Sequence, residues 1–221
     1  MNLTKDSIWV LLRKVTIPAS TGSLFMTFYN LVDTYFAGKI SPDALAAIAK
    51  SWPITFIALA VSIGIQAGTQ ALISNSVGAK ENKLASLYVA QSITFAIITS
   101  IIVTLFGLNF SDFLLNIMGS SKESIILTRE YLDIIFYGSI IILVQLSLNG
   151  TLSAQGDTKS YRNILIISFF LNIFLNPLFI FGYGIIPAFG IAGLAISTLI
   201  AQSIGVFYLI YKVYCCKLRK F

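Results

Sequence analysis

The sequence predicts an all-α, polytopic membrane protein built as a bundle of six transmembrane helices. Of its 221 residues, 57% are hydrophobic and only 11% are charged. Soluble domains carry about 25% charged residues, so this chain has too few charges to cover a surface that faces water. The mean hydropathy of +0.86 supports the same assignment. No shift in composition marks a linker, so residues 1–221 are predicted to form one bundle.

Six apolar segments divide the chain, and each is close to the roughly 20 residues that a membrane-spanning helix requires. The breaks between them contain turn sequences such as GKISPD, VGAKENK and QGDTKSYR. The predicted spans are about 13–38, 46–75, 86–108, 126–153, 162–183 and 190–212.

The distribution of Lys and Arg predicts a multi-pass protein of the cell membrane with both termini in the cytoplasm. With the N-terminus inside, eleven of the 15 basic residues lie on the cytoplasmic side. The other four lie outside: Lys39, Lys50, Lys122 and Arg129. This asymmetry is typical of membrane proteins, and it explains the net charge of +6 without nucleic acid as a partner. Lipid is the partner that the composition implies.

The residue types do not predict an enzyme or a cofactor. Histidine is absent, and the two cysteines, Cys215 and Cys216, are adjacent. Two neighbouring thiols form neither a zinc site nor a plausible structural disulfide.

Neutral polar residues recur at intervals of four in several segments, which places them on one face of each helix. One interpretation is interhelical hydrogen bonding; the other, which we favour, is a shared wet cavity. The large amides are Gln66, Gln70, Gln145, Asn149, Asn172 and Asn176. Small residues with the same spacing predict close helix packing: Ala60, Gly64, Gly68, Gly193, Ser197, Ala201 and Gly205.

Asp33 is the only charged residue between Val15 and Gly38. A carboxylate within a span is costly unless it faces a polar interior, so Asp33 is a candidate proton carrier or cation ligand. Tyr29 and Asn30 precede it by one helical turn and share its face. The alternative places Asp33 at the membrane interface in contact with Lys39.

Two prolines lie inside predicted spans, Pro18 in the first and Pro177 in the fifth. An interior proline removes a backbone hydrogen bond and can bend a helix. Carbonyl groups freed beside Asn172 and Asn176 would add oxygen ligands for a cation such as Na⁺.

The sequence resembles the multidrug and toxin extrusion (MATE) transporters of the MOP flippase superfamily. Four stretches in order carry the resemblance: P…YNLVDTYFAGK, ISNSVGAKENKLA, GTLSAQGDTKSYR, and NIFLNPLFIFGYG followed by GIAGLAIST. The loop GDTK, which begins at Gly156, is interpreted as a helix-capping turn. The resemblance covers the N-terminal six-helix lobe of a twelve-helix architecture, so it implies a second six-helix lobe as partner.

The resemblance implies export of small amphipathic, usually cationic molecules by antiport against Na⁺ or H⁺, with no cofactor. It also implies a cation site at Asp33, Asn172, Asn176 and Thr198. Some members carry Asp at the position of Asn176, and its absence weakens the sodium interpretation. Tyr29, Asn30, Gln66, Gln70, Gln145 and Asn149 are candidates for the substrate cavity. Two alternatives stay open: a flippase for lipid-linked oligosaccharides, and a non-transporting membrane fragment or scaffold.

Overall fold

The structure, a computed structural model, describes residues 7–215, which fold almost entirely into helices. This confirms the all-α fold class. Within that range the only strand-like contact is an isolated bridge between Tyr183 and Ile186. The helices are α1 (Ile8–Leu11), a π-helical turn (Leu12–Thr16), α2 (Ile17–Ile40), α3 (Pro42–Gly78), α4 (Asn82–Ile117), α5 (Lys122–Tyr137), α6 (Ser139–Ala154), α7 (Lys159–Phe181) and α8 (Ile191–Cys215). Cys216 and the basic residues after it lie outside the described range.

Four of these helices, α3, α4, α7 and α8, are long and apolar enough to cross a membrane. The bent pair α5 and α6 qualifies as a fifth crossing when its two parts are counted together. Helix α2 does not pass the same test, because hydroxyl, amide and acidic side chains interrupt its apolar residues. Its 24 residues are nevertheless about 36 Å long, enough for a hydrocarbon core of about 30 Å.

The predicted span 126–153 is wrong as a single continuous helix. It breaks at Gly138, and its two halves are bent by 49°. The side chain of Thr104 on α4 donates a hydrogen bond to the Phe136 carbonyl at 2.7 Å, beside the break. The hydroxyl of Ser139, the first residue after the break, contacts the Thr104 hydroxyl and also donates to the Ser100 carbonyl. The Thr104 side chain and the Ser100 backbone carbonyl of α4 therefore pair with polar groups at the bend, and such side-chain contacts are a recognised cause of kinks.

Helix α7 lies between α2 and α8, while α3 packs mainly on α6. The α7–α8 contact is very close, since a Cβ added to Gly193 would lie 2.4 Å from the Phe179 carbonyl oxygen. Packing was thus correctly predicted for the small residues of α8. The prediction was wrong for Gly64 and Gly68 on α3, where a Cβ would meet nothing within 4 Å.

The turn GDTK caps α7, as predicted. Both Lys159 and Ser160 donate their backbone N–H groups to Asp157 Oδ1, at 3.1 and 3.0 Å. The Ser160 hydroxyl donates to Asp157 Oδ2 at 2.6 Å. Asp157 thus satisfies donors that the first turn of a helix otherwise leaves unpaired.

Replacing Asp157 with Ala should lower the free energy of unfolding by about 1 kcal/mol, the usual cost of losing a helix cap. Thermal unfolding of the detergent-solubilised native gene product would measure it. Asp157→Asn is the matched control, because an asparagine oxygen still accepts from the α7 backbone. Equal stability of the Ala variant and the wild type would contradict a capping role.

Candidate functional site

A carboxylate and two amides meet in the interior where α2 faces α7. Asp33 is 9% exposed, and Asn172 and Asn176 are fully buried. Each asparagine donates from Nδ2 to Asp33 Oδ1 at 2.9 Å. The two asparagines lie four residues apart, so one face of α7 presents both amides to the same oxygen.

Helix α8 completes this cluster with two adjacent hydroxyl groups. Thr198 donates to Asp33 Oδ2 at 3.4 Å. The Ser197 hydroxyl contacts Asn176 Oδ1 and also lies 2.9 Å from the Leu194 carbonyl oxygen. The structure therefore brings together all four residues predicted to form a cation site. Their role as ion ligands stays a prediction.

In the structure, Asp33 is surrounded by amide and hydroxyl groups of α7 and α8. The alternative interpretation placed it at the membrane interface in contact with Lys39. The Lys39 ammonium lies over the Tyr35 ring, 5.5 Å from its centroid. The ion pairs within residues 7–215 belong to Arg129, which contacts Asp112 at 3.4 Å and Asp133 at 3.2 Å. Hydrogen bonds rather than a basic side chain therefore compensate the charge of Asp33.

A cavity of about 220 Å³ opens beside Asp33 and is bounded by α2, α3, α5, α6, α7 and α8. Its described lining contains no Lys or Arg, and Asp33 is its only acidic residue. Aromatic side chains such as Trp52, Phe56 and Tyr131 form much of its wall. Such a surface is chemically suited to an apolar molecule that carries a positive charge.

Three of the predicted cavity residues line this space, namely Tyr29, Asn30 and Gln145. The other three do not. Gln70 is exposed on α3, Gln66 is half-buried there, and Asn149 is buried in α6, where it accepts a hydrogen bond from Ser153. The spacing by four identified a polar face on each helix, but these faces do not all point to one cavity.

Sequence reasoning missed Tyr131 and the polar role of Ser197. Tyr131 lies on α5 and lines the cavity with Asp33. It follows Arg129 and Glu130 directly and precedes Asp133, so the local sequence indicates a polar helix end rather than a cavity wall. The hydroxyl of Tyr29 is enclosed beside Thr198 and Asn172. It makes no well-aligned hydrogen bond with a described group.

The two predicted helix-bending prolines occupy different positions. Pro18 is the second residue of α2, where a missing N–H costs little, and the π-helical turn ends two residues before it at Thr16. The irregularity at this end therefore precedes Pro18. Pro177 lies inside α7, which continues through it as one helix, and α3 likewise continues through Pro53.

Comparison with known proteins identifies the family. The sequence model of the MatE family matches residues 18–178, which is most of the chain. The chain belongs to the MatE family. The match includes Asp33, Asn172 and Asn176 but ends before Thr198. Membership in a family of transporters agrees with the prediction that the chain is not an enzyme.

Individual relatives match nearly all of the chain but less than half of their own length. A MatE relative in Shewanella oneidensis, called an FAD transporter, is 30% identical over 91% of this chain and 45% of its own. A probable multidrug resistance protein of Bacillus subtilis is 28% identical over 90% and 43%. A crystal structure of a MATE protein in a bent conformation has a TM-score of 0.84 at 27% identity, covering 96% of this chain and 46% of that one.

Proposed function

We propose that the chain forms the N-terminal lobe of a secondary active exporter of amphipathic organic cations. Export is coupled to the entry of H⁺ or Na⁺ at Asp33. The observation that carries this proposal is a buried carboxylate that is held by hydrogen bonds and borders an aromatic cavity. An acid at membrane depth is by default a functional group, because lipid gives it no compensation.

Coupling follows when ion and substrate favour different conformations of the transporter. Asp33 joins three helices, since its partners lie on α7 and α8. An ion at Asp33 changes the hydrogen bonds between these helices, so it shifts the population between inward-facing and outward-facing states. Once an ion neutralises Asp33, its negative charge no longer attracts a substrate cation in the adjacent cavity, and the substrate is released.

A second six-helix lobe is part of this proposal. The chain spans less than half of the relatives it matches, and alternating access in such folds requires two lobes that move about a central site. The partner is a C-terminal half or a second copy of this chain. The asymmetry of Lys and Arg supports a cell-membrane location with both termini in the cytoplasm.

Transport by the native gene product in proteoliposomes tests the function. A fluorescent lipophilic cation is loaded, and efflux is followed under a proton gradient and, separately, under a sodium gradient. The proposal expects gradient-dependent efflux above that of protein-free vesicles. Efflux that depends on neither gradient would refute the antiporter function.

A second candidate is export of an anionic flavin nucleotide, suggested by the FAD transporter relative. The described cavity lining opposes it, because no Lys or Arg is present there to bind a pyrophosphate. The same absence opposes a flippase for lipid-linked oligosaccharides. FAD in the same vesicles separates the candidates, since the organic-cation exporter should leave it inside.

A further inference from the structure

The connection between α7 and α8, residues 182–190, is a tightly closed hairpin. Tyr183 and Ile186 each donate a backbone N–H to the carbonyl oxygen of the other, both at 3.1 Å. The two-residue turn between them begins at Gly184, whose φ of 61° is the left-handed conformation that such turns require. The return segment donates two more backbone N–H groups, at 3.0 and 3.1 Å, to carbonyl oxygens in the last turn of α7. The α7–α8 hairpin is therefore held to the helix that it follows.

The tip of the α7–α8 hairpin is apolar and exposed. Ile185 is fully exposed, and Tyr183 is 81% exposed. No Asp, Glu, Lys or Arg lies between Arg162 and Lys212, so no charge accompanies the hairpin or the helix ends beside it. The connections α2–α3, α3–α4, α4–α5 and α6–α7 each contain or adjoin charged residues. An apolar tip without nearby charges is costly in water, so the hairpin requires a partner other than water.

Two markers place the α7–α8 hairpin at the boundary of the membrane. A hydrocarbon core of about 30 Å takes roughly 20 helical residues, and counted from Arg162 these end near Gly182. The second marker is Lys39, in the last turn of α2. Its neighbour Ile40 packs against the hydrophobic cluster that contains Ile180. The hairpin thus begins where α2 presents a lysine, which is the level of the lipid head groups.

We propose that the α7–α8 hairpin is an interfacial anchor, whose Tyr183 and Ile185 side chains insert between the lipid head groups of the leaflet opposite to Arg162. With both termini in the cytoplasm, this is the outer leaflet. Tyrosine suits this layer because its ring is apolar while its hydroxyl can bond to water or head groups. Backbone groups that are bonded within the hairpin cost less to remove from water.

This anchor has a consequence for the helices that carry the site. Because the hairpin closes on the last turn of α7 and leads directly into α8, its position in the head-group layer sets the depth of both helices. The inference does not depend on which ion or substrate is transported.

Collisions between a spin label and two paramagnetic reagents test where the tip lies. The label is attached to Ile185→Cys in the native gene product, with its other cysteines replaced by serine, in phosphatidylcholine vesicles. Oxygen concentrates among the acyl chains, whereas the chelate nickel ethylenediaminediacetate stays in water. The ratio of oxygen to nickel collision rates at residue 185 is expected to be several-fold higher than at the control position.

Lys122→Cys is the matched control. Lys122 is exposed at the start of α5, after the α4–α5 turn, and the alternation of the spans puts this turn at the same end of the bundle as the hairpin. Its label should collide mainly with the nickel reagent. Tyr183→Cys supplies a second position in the hairpin, and thermal unfolding verifies that each labelled variant is folded.

A collision ratio at both hairpin positions equal to that at residue 122 would place the tip in water and overturn the inference. Slow collisions with both reagents would overturn it as well, because they would show that protein, such as the second lobe, covers the hairpin. Neither result alters the outcome of the efflux experiment, so the anchor and the antiporter function stand or fall separately.

Discussion

Replacing Asp33 with Asn is expected to reduce gradient-driven efflux to the rate of protein-free vesicles while the protein stays folded. An asparagine has the same shape, and its oxygen can still accept from Asn172 and Asn176. What it loses is the negative charge, and with it the ability to take up and release a cation. A neutral acceptor makes weaker hydrogen bonds, which should lower the free energy of unfolding by about 1 kcal/mol. The variant no longer has to bury a charge, and this offsets part of the loss.

The measurement compares efflux rates of wild type, Asp33→Asn and Asp43→Asn in proteoliposomes. Asp43 is exposed in the first turn of α3 and outside the cavity, so its replacement should leave efflux unchanged. Thermal unfolding in detergent verifies folding. Full efflux by the Asp33 variant would refute its role as the coupling group.

Replacing Gly193 with Ala is expected to have the largest effect on stability, a loss of about 3 kcal/mol. The added Cβ would lie 2.4 Å from the Phe179 carbonyl oxygen and 2.9 Å from the Ile180 nitrogen. Both atoms belong to the backbone of α7, so only a shift of α7 against α8 relieves the overlap. Ser197 lies one turn after Gly193, and the shift would also move its hydroxyl away from Asn176.

Gly64→Ala provides the control for helix propensity alone. A Cβ at Gly64 meets nothing within 4 Å, and alanine is favoured over glycine in a helix by roughly 0.5–1 kcal/mol. This variant should be as stable as the wild type or slightly more stable. Equal stability of the Gly193 and Gly64 variants would show that the α7–α8 contact is looser than described.

Hydrophobicity and turn residues were sufficient to predict the class of fold and most helices, because every span must bury about 20 apolar residues. They did not predict the break at Gly138. The residues on both sides are apolar and helix-forming, and the groups that stabilise the bend, Thr104 and Ser100, lie on another helix. The Gly138–Ser139 pair is a local feature at which helices can kink, but the contacts that stabilise the bend come from α4.

The site was predictable to a different extent for each residue. Asp33 was identifiable as a lone charge, and Asn172 and Asn176 share a helical face through their spacing. The polar faces alone predicted a shared cavity, and the family resemblance implied the specific cluster of Asp33 with Asn172, Asn176 and Thr198. Ser197 was interpreted as a small packing residue, because it follows Gly193 by four residues, the spacing of small residues at a helix interface. Its hydroxyl acquires a role only from Asn176, a neighbour on a different helix.

The distance along the chain between Asp33 and its partners affects how the protein is made. Asn172 is 139 residues from Asp33, and Thr198 is 165 residues away. At about 5–20 residues per second, a ribosome needs roughly 10–30 s to supply them. The acid of α2 is therefore synthesised well before its partners, and a product that terminates before α7 never acquires them. An incomplete bundle therefore carries a carboxylate at membrane depth without the hydrogen bonds that compensate it, which is costly in lipid.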